Sequence, residues 1–316
     1  MKKKMRFNGF LNSVLMSLIL VLAGCSTTST IPPANPSGDA AHSAPSNPAQ
    51  AAAVEPVLPN HQVTETPWGP LFIPESLLNE QKVPLLIIHF HGSAELVRDA
   101  LLESGLSAAL LNMERPGLSA KYEREFVDPK SFERLVSHCM KILTAKTGQP
   151  QALHAPTRLM VSSFSAGFGA VREILKQPYA LKSIDYVTMI DSLHAGFVEQ
   201  PHRQVFKRII DAELLASFVT YAKLAVAGKK QLLLTHSAVR PDGYASTTEV
   251  ADYLLATVKA KTSSCSEEFH DLWPPQRCMR AGGLTVVGYL GDTAHDHIEQ
   301  LQHMRDFFAF WKRLVK

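Results

Sequence analysis

Residues 157–169 read TRLMVSSFSAGFG, and the fold turns on how this stretch is understood. Residues 157–162 (TRLMVS) have the apolar run of a strand, and residues 170–176 continue as a helix. Between them stands Ser163-Phe164-Ser165-Ala166-Gly167. A serine at a sharp strand-to-helix turn is lifted clear of the sheet and sits beside the unpaired N–H groups of the new helix. Such a turn is crowded, so small residues are needed two positions to either side. Ser163 and Gly167 meet that need. The plainer reading is a Ser/Gly-rich loop that caps a helix. The strand–turn–helix context favours Ser165 as a nucleophile.

The same alternation runs outward from this point. Residues 83–90 (VPLLIIHF) form a continuous apolar run, which marks a strand covered on both faces. Shorter strand-like runs lie at 108–113, 186–190, 231–235 and 284–289. Helical spacing appears at 130–147, 206–227, 248–261 and 296–315. Strands that alternate with helices predict an α/β fold of one domain, with a mainly parallel central sheet and helices on both faces. Ligand sites in such sheets lie beyond the carboxyl ends of the strands. The residues after each strand therefore carry the functional information.

Four strand ends stand out. Ser163–Gly167 resembles the G-x-S-x-G elbow of the α/β-hydrolases, with Ser163 in place of the first glycine. The strand at 83–90 runs into His89-Phe90-His91-Gly92-Ser93, similar to the His-Gly that follows an early strand in that family. The resemblance implies an oxyanion hole made by the N–H of Ala166 and a second donor at Gly92 or Ser93. The strand at 186–190 ends at Asp191, an acid able to orient a histidine. Later carboxylates, Asp242 and Glu249, are the reserves. Asp242-Gly243 is also a turn signal, and Glu249 after Thr247 and Thr248 also reads as a helix start. After the strand at 284–289 comes Gly291-Asp292-Thr293-Ala294-His295-Asp296-His297, just before the last helix. The family carries its general base in this position. His297 is the candidate and His295 the reserve; either would otherwise be an ordinary loop histidine. The chain order Ser165, Asp191, His297 is that of the α/β-hydrolases. The resemblance spans about residues 65–314. It implies a serine esterase that needs no cofactor and takes a small or polymeric ester.

Two rival readings draw on the same segments. A metal-dependent hydrolase would use His89 and His91, two apart on one strand face, with Asp292, His295 or His297. A binding protein would keep the fold without the chemistry. His194 and His236 read as pocket lining, and His303, Phe307, Phe308, Phe310 and Trp311 as packing residues of the last helix.

The N-terminus carries its own signal. Lys2, Lys3, Lys4 and Arg6 precede an apolar stretch at about 14–23 and then Leu22-Ala23-Gly24-Cys25. This is the pattern of a secretory signal peptide over residues 1–24. Leu-Ala-Gly-Cys resembles the lipobox of bacterial lipoproteins, which implies lipidation of Cys25 and membrane attachment through the acyl chains. Ser26 after the cysteine points to the outer membrane, facing the periplasm. Residues 25–60 are Ser-, Thr-, Pro- and Ala-rich and read as a disordered tether, leaving 61–316 as the α/β-hydrolase-like domain. The whole chain has 32 basic and 29 acidic residues. Removing the four basic residues of the leader leaves 28 against 29, which offers nucleic acid no electrostatic attraction. In an oxidising compartment Cys265 and Cys278 are expected to pair around Trp273-Pro274-Pro275, and Cys139 to remain a buried thiol.

Overall fold

The apolar runs form the centre of one sheet of ten strands among the described residues. The structure is a computed structural model, and it describes residues 59–78, 85–147, 158–198, 208–269 and 271–315. The signal peptide, Cys25 and the tether up to residue 58 lie outside the described residues. In chain order the strands are β1 (His61–Thr66), β2 (Gly69–Pro74), β3 (Leu86–Phe90), β4 (Ala109–Met113), β5 (Leu159–Phe164), β6 (Tyr186–Ile190), β7 (Gln231–His236), β8 (Ser263–Ser264), β9 (Arg277–Ala281) and β10 (Leu284–Gly288). Their spatial order is β1-β2-β4-β3-β5-β6-β7-β10-β9-β8. The six central strands from β4 to β10 pair in parallel, and antiparallel hairpins close both edges.

The helices are α1 (Glu75–Leu78), α2 (Ala94–Ser104), α3 (Ser119–Glu125), α4 (Ser131–Thr147), α5 (Phe168–Ile174), α6 (Pro178–Ser183), α7 (Ala212–Val226), α8 (Thr247–Val258), α9 (Ala294–Gln302) and α10 (Met304–Leu314). Successive strand residues point to opposite faces, and here each face has its own core. Leu86, Ile88, Val161, Val187, Met189 and Leu234 pack with Leu135 of α4, Val171 of α5, Phe218 of α7 and Leu254 of α8. Ile87, Leu110, Met160, Tyr186 and Leu233 pack on the other side with Val97 of α2, Leu301 of α9 and Phe307, Phe308 and Trp311 of α10. Helix cover on both faces is why the strands read as unbroken apolar runs. The expected architecture, a mainly parallel central sheet with helices on both faces, is the one the structure has.

The structure differs from the sequence expectation in several elements. The β1–β2 hairpin was not anticipated, because HQVTET alternates only weakly and lies half-exposed at the sheet edge. The last helix is two helices, α9 and α10, broken at His303. There the His303 ring stacks on Trp273 at 4.1 Å and its Nδ1 lies 3.1 Å from the buried Asp306 carboxylate. The expected helix at 206–227 begins at Ala212, with Asp211 as its N-cap. Cys139 is a buried free thiol whose pKa burial pushes up to about 12.

Cys265 and Cys278 form a disulfide that ties β9 to the segment after β8. A bridge with a sequence separation of 13 contributes about 3 kcal/mol through the entropy it removes from the unfolded chain. Urea denaturation of Cys265→Ser with Cys278→Ser should show a loss of about that size. A stability equal to the parent's would mean that the edge hairpin holds without the bridge.

Candidate active site

Strand β5 ends at Phe164, and Ser165 follows with φ 45°, a left-handed backbone that residues other than glycine rarely adopt. A single 3-10 turn, Ser165–Gly167, then leads directly into α5. A Cβ on Gly167 would lie 2.2 Å from the carbonyl oxygen of Phe90, the last residue of β3. A Cβ on Gly169 would lie 2.4 Å from the carbonyl oxygen of Ser119 in α3. Both glycines are therefore required by close backbone approach. Ser163 occupies the other crowded position. It is fully buried, and its hydroxyl meets Ser192 Oγ at 2.7 Å. Ser192 Oγ in turn donates to the Ser165 carbonyl at 3.0 Å. The serine that replaces glycine in the elbow thus ties the turn to the end of β6.

Asp191 is the residue just past β6, also left-handed, with φ 39°. It is 1 % exposed, yet its carboxylate is fully occupied. Oδ1 accepts from the Ser237 N–H at 3.0 Å and from the Thr247 hydroxyl. Oδ2 accepts from Ser237 Oγ at 2.6 Å and meets His297 Nδ1 at 2.7 Å. Burial alone would raise the pKa of this carboxyl. The bonds from His297, Ser237 and Thr247 outweigh it and hold the group well below the usual carboxylate range.

His297 reaches Asp191 because α9 starts where it does. Thr293 is the N-cap, and a capping box with Asp296 fixes the first turn. The His297 ring stacks on Phe164 at 4.6 Å, which sets it beside the residue preceding Ser165. One turn further along α9, Gln300 accepts from Thr235 Oγ1, and Thr235 Oγ1 accepts from the Asp191 N–H at 3.0 Å. The helix and the acid are thereby pinned to the same strand end. Among the described residues no hydrogen bond joins Ser165 Oγ to His297.

The reserve residues lie elsewhere. His295 is exposed on the outer side of the same turn. Asp242 is exposed in the turn that Gly243 completes with φ 88°. Glu249 forms a capping box with Ser246, so α8 is capped one residue earlier than Thr247. Thr247 is released from capping and turns its hydroxyl onto Asp191.

The paired-histidine reading of His89 and His91 also changes. Strand β3 ends at Phe90, and His91 has φ 73°, so the two do not share a strand face. Both ring nitrogens of His89 are bonded within the protein, to Ser162 Oγ at 3.0 Å and to the His91 carbonyl at 2.9 Å. His91 Nδ1 meets Tyr122 Oη at 2.9 Å. Among the described residues no group of three or more His, Cys, Asp or Glu side chains is arranged to hold a metal ion. Burial lowers His91 to about 4 with help from His297, and His194 to about 4, so these neighbours stay neutral around the His297–Asp191 pair. His194 packs edge-on against Phe168 and Tyr244. His236 lies behind Ser237, with Nδ1 2.9 Å from Thr248 Oγ1.

No family model matches the chain, and no curated protein matches it. Solved structures with some likeness include Est1E from Butyrivibrio proteoclasticus, at 13% identity and a TM-score of 0.38 over 80% of this chain and 99% of that one. An alpha-beta serine hydrolase homologue from Coxiella burnetii has 12% identity and a TM-score of 0.37 over 81% and 98%. The esterase Pf2001 of Pyrococcus furiosus has 15% identity and a TM-score of 0.37 over 81% and 93%.

Sequence reasoning missed Ser192, Thr235, Ser237, Thr247 and Gln300. Each is a neutral polar residue, and only its burial distinguishes it from a solvated one. Asp191 has a lowered pKa in the folded protein, so its contribution is fully present above the ordinary aspartate range and is lost as pH falls below that range through the lowered folded value. Thr247→Val should therefore cost about 1.5–3 kcal/mol near neutral pH, with the gap to the parent narrowing below about pH 4. Urea denaturation across pH checks this; a gap that does not change with pH would show that Thr247 does not support the charged carboxylate.

Proposed function

We propose that this protein is a serine hydrolase that cleaves carboxylic esters through an acyl-enzyme. Ser165 is the nucleophile, His297 the general base and Asp191 the acid that orients it. The observation that carries this reading is the 2.7 Å bond between His297 Nδ1 and a buried, ionised Asp191, on the strand end next to the Ser165 elbow.

The chemistry follows from those positions. Asp191 accepts the Nδ1 hydrogen of His297, which leaves Nε2 bare and able to take a proton. As Ser165 Oγ attacks the ester carbonyl, its proton passes to Nε2, and Asp191 stabilises the imidazolium. The carbonyl oxygen becomes an alkoxide, held by the Ala166 N–H and a donor at Gly92 or Ser93. Collapse breaks the ester C–O bond, and the imidazolium protonates the departing alcohol. Water, deprotonated by the same histidine, then releases the acid and restores Ser165.

The sequence signal ending at Cys25 supports a lipid-anchored protein of the cell envelope, on the outer membrane and facing the periplasm. The Cys265–Cys278 bridge fits an oxidising compartment.

Hydrolysis of a small chromogenic ester tests the reading. Ser165→Ala and His297→Ala should each lower kcat by about 10⁴-fold or more, and Asp191→Asn by about 10⁴-fold. Turnover retained by a folded Ser165→Ala protein would overturn the assignment.

A further inference from the structure

Three polar side chains stand at one level of the sheet, on a face packed mainly with apolar residues. His89 of β3 is in register with Asn112 of β4 and Ser162 of β5. All three are 0 % exposed. Burying polar groups is costly unless they are hydrogen-bonded, so their partners reveal their purpose.

Those partners are the two carbonyls just past β3. His89 Nε2 is 2.9 Å from the His91 carbonyl oxygen, and Asn112 Nδ2 donates to the Gly92 carbonyl at 3.1 Å. A carbonyl only accepts, so His89 Nε2 carries the hydrogen. Nδ1 is then bare and accepts from Ser162 Oγ–H at 3.0 Å. One serine thus fixes the tautomer of one histidine, and that histidine fixes one peptide plane.

In a trans peptide the N–H points opposite to the C=O of the same plane, and the described chain has no cis bonds. Holding the His91 carbonyl toward His89 turns the Gly92 N–H away from it. Holding the Gly92 carbonyl toward Asn112 turns the Ser93 N–H away likewise. The preceding donor, His91 N–H, is already given to the Met113 carbonyl at 3.0 Å. Neither Gly92 N–H nor Ser93 N–H is taken by another group among the described residues. The segment starts at the end of β3, whose Phe90 carbonyl lies against Gly167 of the elbow.

We infer, resting on the serine-hydrolase reading above, that His89 and Asn112 are positioning residues. They aim the Gly92 and Ser93 N–H groups as the oxyanion donors that face Ala166. His91 at φ 73° is a strained conformation that persists only when its surroundings over-determine it, while Gly92 at φ 127° uses the freedom that only glycine has. The two bonds from beneath supply that constraint. Burial lowers His89 to about 3, so the ring stays neutral and keeps its tautomer throughout any useful pH range.

Preorganised donors act on the transition state and scarcely on the bound ester. Asn112→Leu and His89→Phe should therefore lower kcat by at least about 10-fold, toward the roughly 10²–10³-fold loss of a whole donor, with KM little changed. His89→Gln, whose amide can again donate to the His91 carbonyl, should recover part of the loss. Ser165→Ala in the same assay separates the two ideas. If it is inert while folded Asn112→Leu and His89→Phe keep the parent kcat, the positioning role alone is overturned. If Ser165→Ala still turns over, both fall. Should the variants fail to fold, nitrogen NMR of the parent protein decides. His89 must show a protonated Nε2 and a bare Nδ1, unchanged from about pH 5 to 8. The opposite tautomer would overturn the inference.

Discussion

Three strands of this sheet, β3, β5 and β6, are each followed at once by a residue that is left-handed without being glycine: His91, Ser165 and Asp191. They are adjacent in space, and the rest of the site depends on holding them. Each such conformation costs on the order of 1–3 kcal/mol and survives only where the surroundings fix it. His91 is held by its own N–H on Met113 and by His89 on its carbonyl. Ser165 is held by Ser192 on its carbonyl and by the space that Gly167 leaves for Phe90. Asp191 is held through its N–H by Thr235 and through its carboxylate by Ser237 and Thr247. The strain turns three chain reversals toward one point above the sheet.

Beneath that point the sheet is buried, and the polar groups it contains are placed in register. Asn112, His89, Ser162 and Thr188 form a row across β4, β3, β5 and β6. Trp311 of the last helix closes the row by donating Nε1–H to Thr188 Oγ1 at 2.8 Å. In a medium of low dielectric each of these bonds is stronger than in water, and an unmet one would be costly. The row therefore stiffens the platform, and the strand ends above it inherit that stiffness. Gln300 does the same for the histidine, since it fixes α9 to Thr235 one turn away from His297.

Much of the fold was legible because a strand buried on both faces has an unmistakable composition. Residues 186–190 were read with their observed limits, and β5 needed only two more residues to reach Ser165. Asp191 and His297 could be singled out because each directly follows a strand or opens a helix, and the structure brings the two together. What stayed hidden depends on tertiary context. Thr247 read as a helix start, but Ser246 takes that task and frees the Thr247 hydroxyl for Asp191. His89 read as half of a ligand pair, because sequence spacing cannot show that the chain turns left-handed at His91. Asn112 gave no signal at all, being one polar letter in the apolar run 108–113. The break at His303 was invisible to periodicity, since Phe307, Phe308 and Trp311 keep helical spacing on their own side of it.

Ser165, at the strand end beside the His297–Asp191 pair, is the proposed nucleophile. The most direct measurement is the site of covalent attachment of a fluorophosphonate, mapped by mass spectrometry of the digested protein. An activated serine attacks phosphorus and displaces fluoride, so the expected result is one stoichiometric adduct on Ser165, absent after denaturation before labelling. An intact, folded protein that stays unlabelled, or carries its adduct on another residue, would contradict it.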